Sequence, residues 1–163
     1  MPADEDEVSE LVRSAADRQL SVRVAAGGHS FTPVCLSDGL LLSLERMHGV
    51  TAIDRERHRA TVLAGTKISE IGPPLWERGL QLRNQGDIDA QFIAGAVSTA
   101  THGSGNRLQC MSAAARRIRA VLPSGEAYEA AEDDPDLLAA AQVAVGMLGV
   151  ITSVDLDVTD AFL

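Results

Sequence analysis

The sequence predicts a mixed fold of helices and short strands, and three observations carry that expectation. A helical apolar pattern near the N-terminus leads directly into a short β-run that ends in a glycine pair. Two pairs of β-runs, within residues 50–64 and 117–130, are each joined by turn chemistry. A last alternating run, Val150–Val158, lies close to the end of the sequence. At 163 residues the chain is long enough for one domain with a real core, or for two small lobes that share one.

Each element has a local cause. Over residues 4–20, Val8, Leu11, Val12, Ala15, Ala16 and Leu20 recur at helical spacing, with charges on the other face. Asp4 is placed as N-cap and Glu7 as its capping-box partner. Ser21–Ala26 reads as a strand running into Gly27-Gly28. Gly39–Leu44 is a continuous apolar run, the pattern of a strand buried on both faces. Val50–Ile53 and Ala60–Ala64, joined by the polar segment Asp54–Arg59, make a first hairpin.

Gly65-Thr66 then opens a helix, with Thr66 as cap and Ile68, Ile71 and Leu75 inward. Pro73-Pro74 falls inside it and is expected to break or kink it, since proline removes a donor and clashes with the preceding turn. Trp76 is expected to pack there. Arg117–Leu122, Pro123-Ser124-Gly125 and Ala127–Ala130 make the second hairpin. Asp134 caps a helix over Leu137–Val145, with Pro135 at its first position.

Composition narrows the function classes. The net charge is −9, from 14 basic and 23 acidic residues, which argues against nucleic acid or an anionic membrane as partner, because both need a basic footprint. No apolar run approaches the ~18 residues of a membrane span. The acidic start, Asp4 to Glu7, is unlike a signal or transit peptide, so a cytoplasmic protein is expected. Arg55, Arg57, His58 and Arg59 read as a solvated hairpin tip. Cys35 and Cys110 have neither CxxC spacing nor a Cys/His cluster, so both are expected reduced and buried.

Two glycine-rich stretches carry the candidate chemistry. In Val24–Phe31 a β-run ends in Ala25, Ala26, Gly27 and Gly28, followed by His29 and Ser30. Such a turn exposes several N–H groups, which is how a concave anion nest is made; an ordinary tight turn with a hydrogen-bonded histidine has the same sequence. The second stretch runs from Asn84 to Asp89 and on from Ala94 to Gly105. Its small and hydroxyl residues suit a backbone lying flat along a ligand, and they equally suit a packed helix end with a glycine cap. Both stretches lack lysine, so a diphosphate held there would be neutralised by backbone N–H and hydroxyl groups. GxGxxG does not follow the first strand, no GxSxG elbow occurs, and His29 and His102 lack carboxylates at metal-ligand spacing. These absences argue against a Rossmann site, a serine hydrolase and a metal centre.

Four motifs occur together in order: Gly27-Gly28-His29-Ser30-Phe31, Asn84-Gln85-Gly86-Asp87-Ile88-Asp89, Ala94 to Gly105, and Gly146-Met147-Leu148-Gly149-Val150-Ile151-Thr152. Together they resemble the PCMH-type FAD-binding domain of the vanillyl-alcohol-oxidase flavoproteins, and within them the sugar-1,4-lactone oxidase and alditol oxidase branch. The resemblance implies a two-lobed α+β domain, small sheets flanked by helices, with lobe one about 1–65, lobe two about 66–163 and FAD between them. It implies that Ala25, Ala26, Gly27, Gly28 and Ser30 cradle the pyrophosphate and that His29 is a candidate covalent tether to the flavin. It further implies that Asp87, Gly95, Thr99, His102 and Gly103 line the flavin, that Val150 makes a backbone contact near the adenine side, and that Gly149 beside it also binds the cofactor. Gly86 matches a position beside the flavin's oxygen-reactive face, where a small residue implies an oxidase.

The implied activity is oxidation of a CH–OH donor, with hydride passing to the cofactor and electrons to O₂. Relatives in the branch continue into a substrate or cap domain and begin with a strand before the first helix. This chain is expected to lack both, which would leave unpaired groups at a sheet edge of the first lobe. The catalytic base and the residues that bind polyol or lactone are then expected outside it. The other expectation is a non-catalytic flavin-binding or assembly subunit, or a remnant, whose site is completed by a partner chain.

Overall fold

A computed structural model describes residues 1–162 of the chain. Helix α1 (Glu5–Asp17) starts where the Asp4 side chain accepts from Glu7 N at 2.9 Å. Glu7 closes the box one residue early, its Oε2 accepting from Ala3 N at 2.8 Å. Val8, Val12 and Ala15 face the core, as the 3.6-residue period requires.

Strand β1 (Val22–Ala25) pairs in parallel with β2 (Leu40–Ser43), the connection between them containing a 3-10 turn, Pro33–Cys35. The register sets Val22, Val24, Leu40 and Leu42 on one face and Arg23 and Leu41 on the other. Leu42 is buried, whereas Leu41 is 54% exposed. The expectation that β2 is buried on both faces is therefore corrected: this ribbon has only two strands, and the core covers one side of it.

The larger sheet has the order β3-β4-β8-β6-β7, formed by β3 (Val50–Asp54), β4 (Arg59–Leu63), β6 (Ala115–Val121), β7 (Ala127–Ala131) and β8 (Val150–Asp160). Short β5 (Leu80–Leu82) pairs with the end of β8. Both hairpins fall where turn chemistry puts them, and the second turns at Gly125, whose N–H donates to Leu122 O at 2.8 Å. The hairpin β3–β4 joins β8, so the strands of residues 50–63, assigned above to lobe one, belong to the sheet of the second half. The two sheets divide between β2 and β3.

Helix α2 (Ile68–Trp76) departs from expectation in three ways. Thr66 is not its cap: it is buried, its Oγ1 accepting from Gly49 N at 2.8 Å and donating to Leu63 O at 2.6 Å, so it pins the first hairpin instead. Lys67 is the N-cap residue, and Glu70 Oε2 accepts from its N–H at 3.2 Å. Pro73 and Pro74 do not break the helix. The carbonyls they leave without a helical donor belong to Ser69 and Glu70, both exposed residues, so neither acceptor has to be satisfied inside the core. Ile68, Ile71 and Leu75 are buried as expected, but Trp76 is 53% exposed at the helix end.

Helix α3 (Ile93–Ser98) is short, and α4 (Pro135–Gln142) is capped by Asp134, whose side chain accepts from Leu137 N at 3.0 Å. α4 stops before Val143, whose φ of −135° and ψ of 50° leave the helical region, and Val145 and Gly146 beyond it take positive φ, 50° and 76°. The two cysteines are free and half-buried, not fully buried. One cluster joins Val8, Leu42, Val62, Ile71, Ile118, Val154 and Leu156 into a single core. Among the described residues no helix is long and apolar enough to cross a membrane.

Glu5 locks α1 to the sheet. Its carboxylate accepts from Arg119 Nη2 at 2.7 Å and from buried Thr152 Oγ1 at 2.7 Å. The Arg119 hydrogen bond holds the Glu5 carboxyl below its usual range, against the opposing effect of burial. A lowered folded value gives stability that is present above the unfolded value of about 4.3 and lost as pH falls through the folded one. Glu5→Gln should cost ~1–2 kcal/mol at neutral pH. The difference from the parent should close below pH ~4 in urea unfolding curves; equal stability at pH 7 would show that α1 is held by packing alone.

Candidate functional site

Where β1 ends at Ala25 the chain turns through Ala26–Phe31. Gly28 has φ +71°, and a Cβ built there would meet nothing within 4 Å. Only glycine takes that backbone freely, and here it leaves space open on the cleft side. The His29 ring folds back on Gly27, where a Cβ would lie 3.0 Å from His29 Cδ2 and 3.1 Å from Ala90 O. Among the described residues, the N–H groups of Gly27, Gly28, His29, Ser30 and Phe31 have no acceptor within the chain. A run of unpaired, exposed amides is a ready anion nest.

That turn forms one wall of a cleft of about 360 Å³. The second wall is α3, where a Cβ at Gly95 would stand 3.6 Å from Ala26 Cβ. The third is the bend Val145, Gly146, Gly149 and Ile151. Val22 and Val24 supply the apolar lining, and no carboxylate lies along it. Arg23 is the single charged residue at the cleft, and the strand register turns it toward the face of Leu41, away from Val22 and Val24.

The structure divides the expected site residues into three groups. Ala25, Ala26, Gly28, Ser30, Gly95 and Gly149 line the cleft. Gly27, His29 and Thr99 line an adjoining recess of about 50 Å³, with Gln91. Thr99 Oγ1 there donates to Gly95 O at 2.9 Å. Gly86, Asp87, His102 and Gly103 line neither space. They belong to two loops that pack on each other: Gln91 Nε2 donates to Thr101 Oγ1 at 3.2 Å, and Asn84 Nδ2 to Gln109 O at 2.8 Å. A Cβ at Gly103 would sit 2.6 Å from Gln85 O, and one at Gly86 2.8 Å from Thr101 Cγ2. Asp87 and His102 are exposed, with His102 Nδ1 3.0 Å from Gly103 O.

The small-residue stretch from Ala94 to Gly105 is therefore two things. Its first half is the packed helix α3, and its second half is irregular loop. Val150 is buried on the opposite side of its strand, in a crevice with Val12, Leu20 and Pro123, while its neighbours Gly149 and Ile151 face the cleft. Val22, Val24, Phe92, Ser98, Gly146 and Ile151 also line the cleft and were not named from sequence as site residues. The alternation of Val22 and Val24 was the available signal.

Residues 1–131 match the family described as FAD binding domain. The chain belongs to this family. It is 40% identical over 161 residues to L-gulono-1,4-lactone dehydrogenase of Mycobacterium tuberculosis, covering 99% of this chain and 37% of that protein. It is 34% identical to D-arabinono-1,4-lactone oxidase of Saccharomyces cerevisiae, covering 99% of this chain and 32% of that protein. Among solved structures, 6-hydroxy-D-nicotine oxidase from Arthrobacter nicotinovorans superposes with a TM-score of 0.86 at 23% identity, over 97% of this chain and 35% of that one. The chain thus spans 32–37% of the length of these curated relatives.

The residues of this FAD-binding domain fit the cofactor. Unpaired amides at Gly27–Phe31 suit an anionic diphosphate, the walls carry no carboxylate to repel it, and Val22, Val24 and Ile151 offer apolar surface. Gly103 has a packing role. Gly103→Ala should force the two loops apart at a cost of ~1–3 kcal/mol. Amide hydrogen exchange should then quicken over residues 84–89 and 101–105, with α1 unchanged; unaltered exchange there would show that the loops do not depend on each other.

Proposed function

We propose that this domain holds FAD for the oxidation of a CH–OH donor, a sugar lactone or an alditol, and that His29 is the covalent tether. The observation that carries the reading is the run of unpaired amides at Gly27–Phe31, opening onto a cleft without carboxylates and with His29 in its recess. The names of the relatives, lactone dehydrogenase and lactone oxidase, support the substrate class. The chemistry FAD supplies when bound is acceptance of a hydride at N5 and return of the electrons to O₂ as H₂O₂.

The chain's own residues bind and orient. Gly27 to Ser30 donate N–H groups to phosphate oxygens, and Val22, Val24 and Ile151 exclude water. Thr99 has its hydroxyl proton committed to Gly95 O and so offers lone pairs to a ligand. The cleft lining contains no acid, lysine or histidine to take a proton from a substrate hydroxyl. In this reading the groups that bind and activate substrate come from outside the chain. Two free thiols, Cys35 and Cys110, suit a reducing, cytoplasmic compartment.

The chain expressed with FAD and precipitated in acid should give a yellow pellet, and His29→Ala should leave the colour in the supernatant. Flavin released by acid from the parent chain would remove the tether role and keep the binding site; no bound flavin before acid would remove both.

We also propose Gly86, which lines neither the cleft nor its recess, as the oxygen-access position. A side chain there must displace the Thr101 methyl and crowd Gln91 Oε1, 2.8 and 3.4 Å from its Cβ position; Gln91 also lines the His29 recess. Gly86→Val should slow the reaction of the chemically reduced, FAD-loaded chain with O₂ several-fold in stopped-flow absorbance. An unchanged rate would free the position of that role.

A further inference from the structure

A second cavity, of about 350 Å³, shares no lining residue with the flavin cleft. Its floor is apolar, formed by Leu82, Met111 and Leu156, and Arg83, Arg107, Asn84 and Asp157 line it. Apolar floor with a few converging polar groups is the usual make-up of a small-molecule site of this size.

The charge balance at this cavity is unusual for a chain of net charge −9. Three guanidiniums converge on one carboxylate: Arg59 Nε lies 2.9 Å from Asp157 Oδ1, while Arg83 Nη1 at 3.2 Å and Arg116 Nη2 at 2.6 Å share Oδ2. Arg59 and Arg116 also reach Glu132, at 3.0 and 3.9 Å, but Arg83 has only the shared oxygen. Arg107 pairs with no carboxylate among the described residues. Both oxygens of Asp157 are thus occupied by cations, so the carboxylate that lines the cavity offers little repulsion to an anion. Arg83 and Arg107 retain N–H donors in the fork geometry that matches phosphate.

From this juxtaposition we infer that the cavity between β5, the segment Arg107–Ala114 and the end of β8 binds a phosphate group, presented by a small sugar phosphate or as free phosphate. Arg83 and Arg107 grip the oxygens, and the Leu82, Met111 and Leu156 floor takes the carbon skeleton. The cavity exceeds what a bare phosphate fills, which favours the sugar phosphate of the two sources.

The 163-residue chain, labelled with ¹⁵N, is titrated with ribose 5-phosphate and separately with inorganic phosphate, each at low and at physiological salt. Saturable shifts are expected at the amides of Asn84 and Leu108–Met111, stronger for the sugar phosphate and weakened by salt. Equal saturation by inorganic phosphate would identify free phosphate as the occupant and keep the site. Arg107→Gln breaks no ion pair, and it should raise the half-saturation concentration about tenfold, the loss of one charge-assisted contact. Arg83→Gln should do the same in a chain whose spectrum shows the fold intact, since Arg59 and Arg116 still hold Asp157. The inference is overturned by an absence of saturable shifts at these amides, by an Arg107→Gln chain that titrates like the parent, or by shifts confined to Gly27–Phe31, which would place the anion in the flavin cleft.

Discussion

Strand β8 pairs along its length with β4 and β6 and at its end with β5. Removing it would part the two hairpins from each other, so the large sheet exists only through it. Its first residues also set the third wall of the cleft beside the glycine turn. Gly149, at φ +119°, crosses directly over Val121 O, where a Cβ has no room. That crossing admits β8 beside β6 with Ile151 turned to the cleft and Val150 turned away. Thus the hydrogen-bond register of a structural strand decides which side chain the cleft presents, and a one-residue slip would exchange the two.

Holding an anionic cofactor in a strongly acidic chain poses an electrostatic problem. Arg23 stands at the cleft but its register turns it toward Leu41, and the arginines of the large sheet are spent elsewhere: Arg119 on Glu5 and Glu129, Arg117 on Asp155 and Glu129, and Arg59 and Arg116 on Asp157 and Glu132. These ladders tie α1 to the sheet and its strands to one another. What the cleft offers instead, under the proposed function, is backbone dipoles, which are fixed in place by the Gly27–Gly28 turn and carry no charge needing a counterion. It also keeps carboxylates off its walls. Binding by oriented amides depends on conformation, so the glycine turn matters through its backbone, and the side chains around it are small enough to stay out of the way.

Local signals were legible wherever a local cause decided the outcome. Asp4 and Asp134 cap helices, Gly125 turns the second hairpin, and the period of Val8 and Val12 gives the buried face of α1. The six contiguous residues Ala25–Ser30 reach the cleft or its recess because one turn carries them all. Outcomes decided by distant neighbours were not legible. Leu41 looked buried because its sequence neighbours are apolar, yet only the core face of a two-stranded ribbon is covered. Thr66 looked like a cap because hydroxyls cap helices, but the first hairpin claimed its oxygen. The pleat of β8 likewise was not legible: it turns the Ile151 side chain to the cleft and buries that of Val150.

The glycine-rich stretches show why composition by itself is an ambiguous signal for a ligand site. Gly28 is small so that space stays open beside it, and a Cβ there touches nothing. Gly103 is small because another loop already fills the space, the carbonyl of Gln85 lying where its side chain would go. The first kind of glycine faces open space and the second lets two loops close on each other, yet the two are identical in sequence. What separates them is the partner across the gap, supplied for Gly103 by a segment eighteen residues earlier in the chain. A stretch such as Ala94–Gly105 therefore marks where backbones approach closely, and the fold determines whether the other party is a ligand or the protein itself.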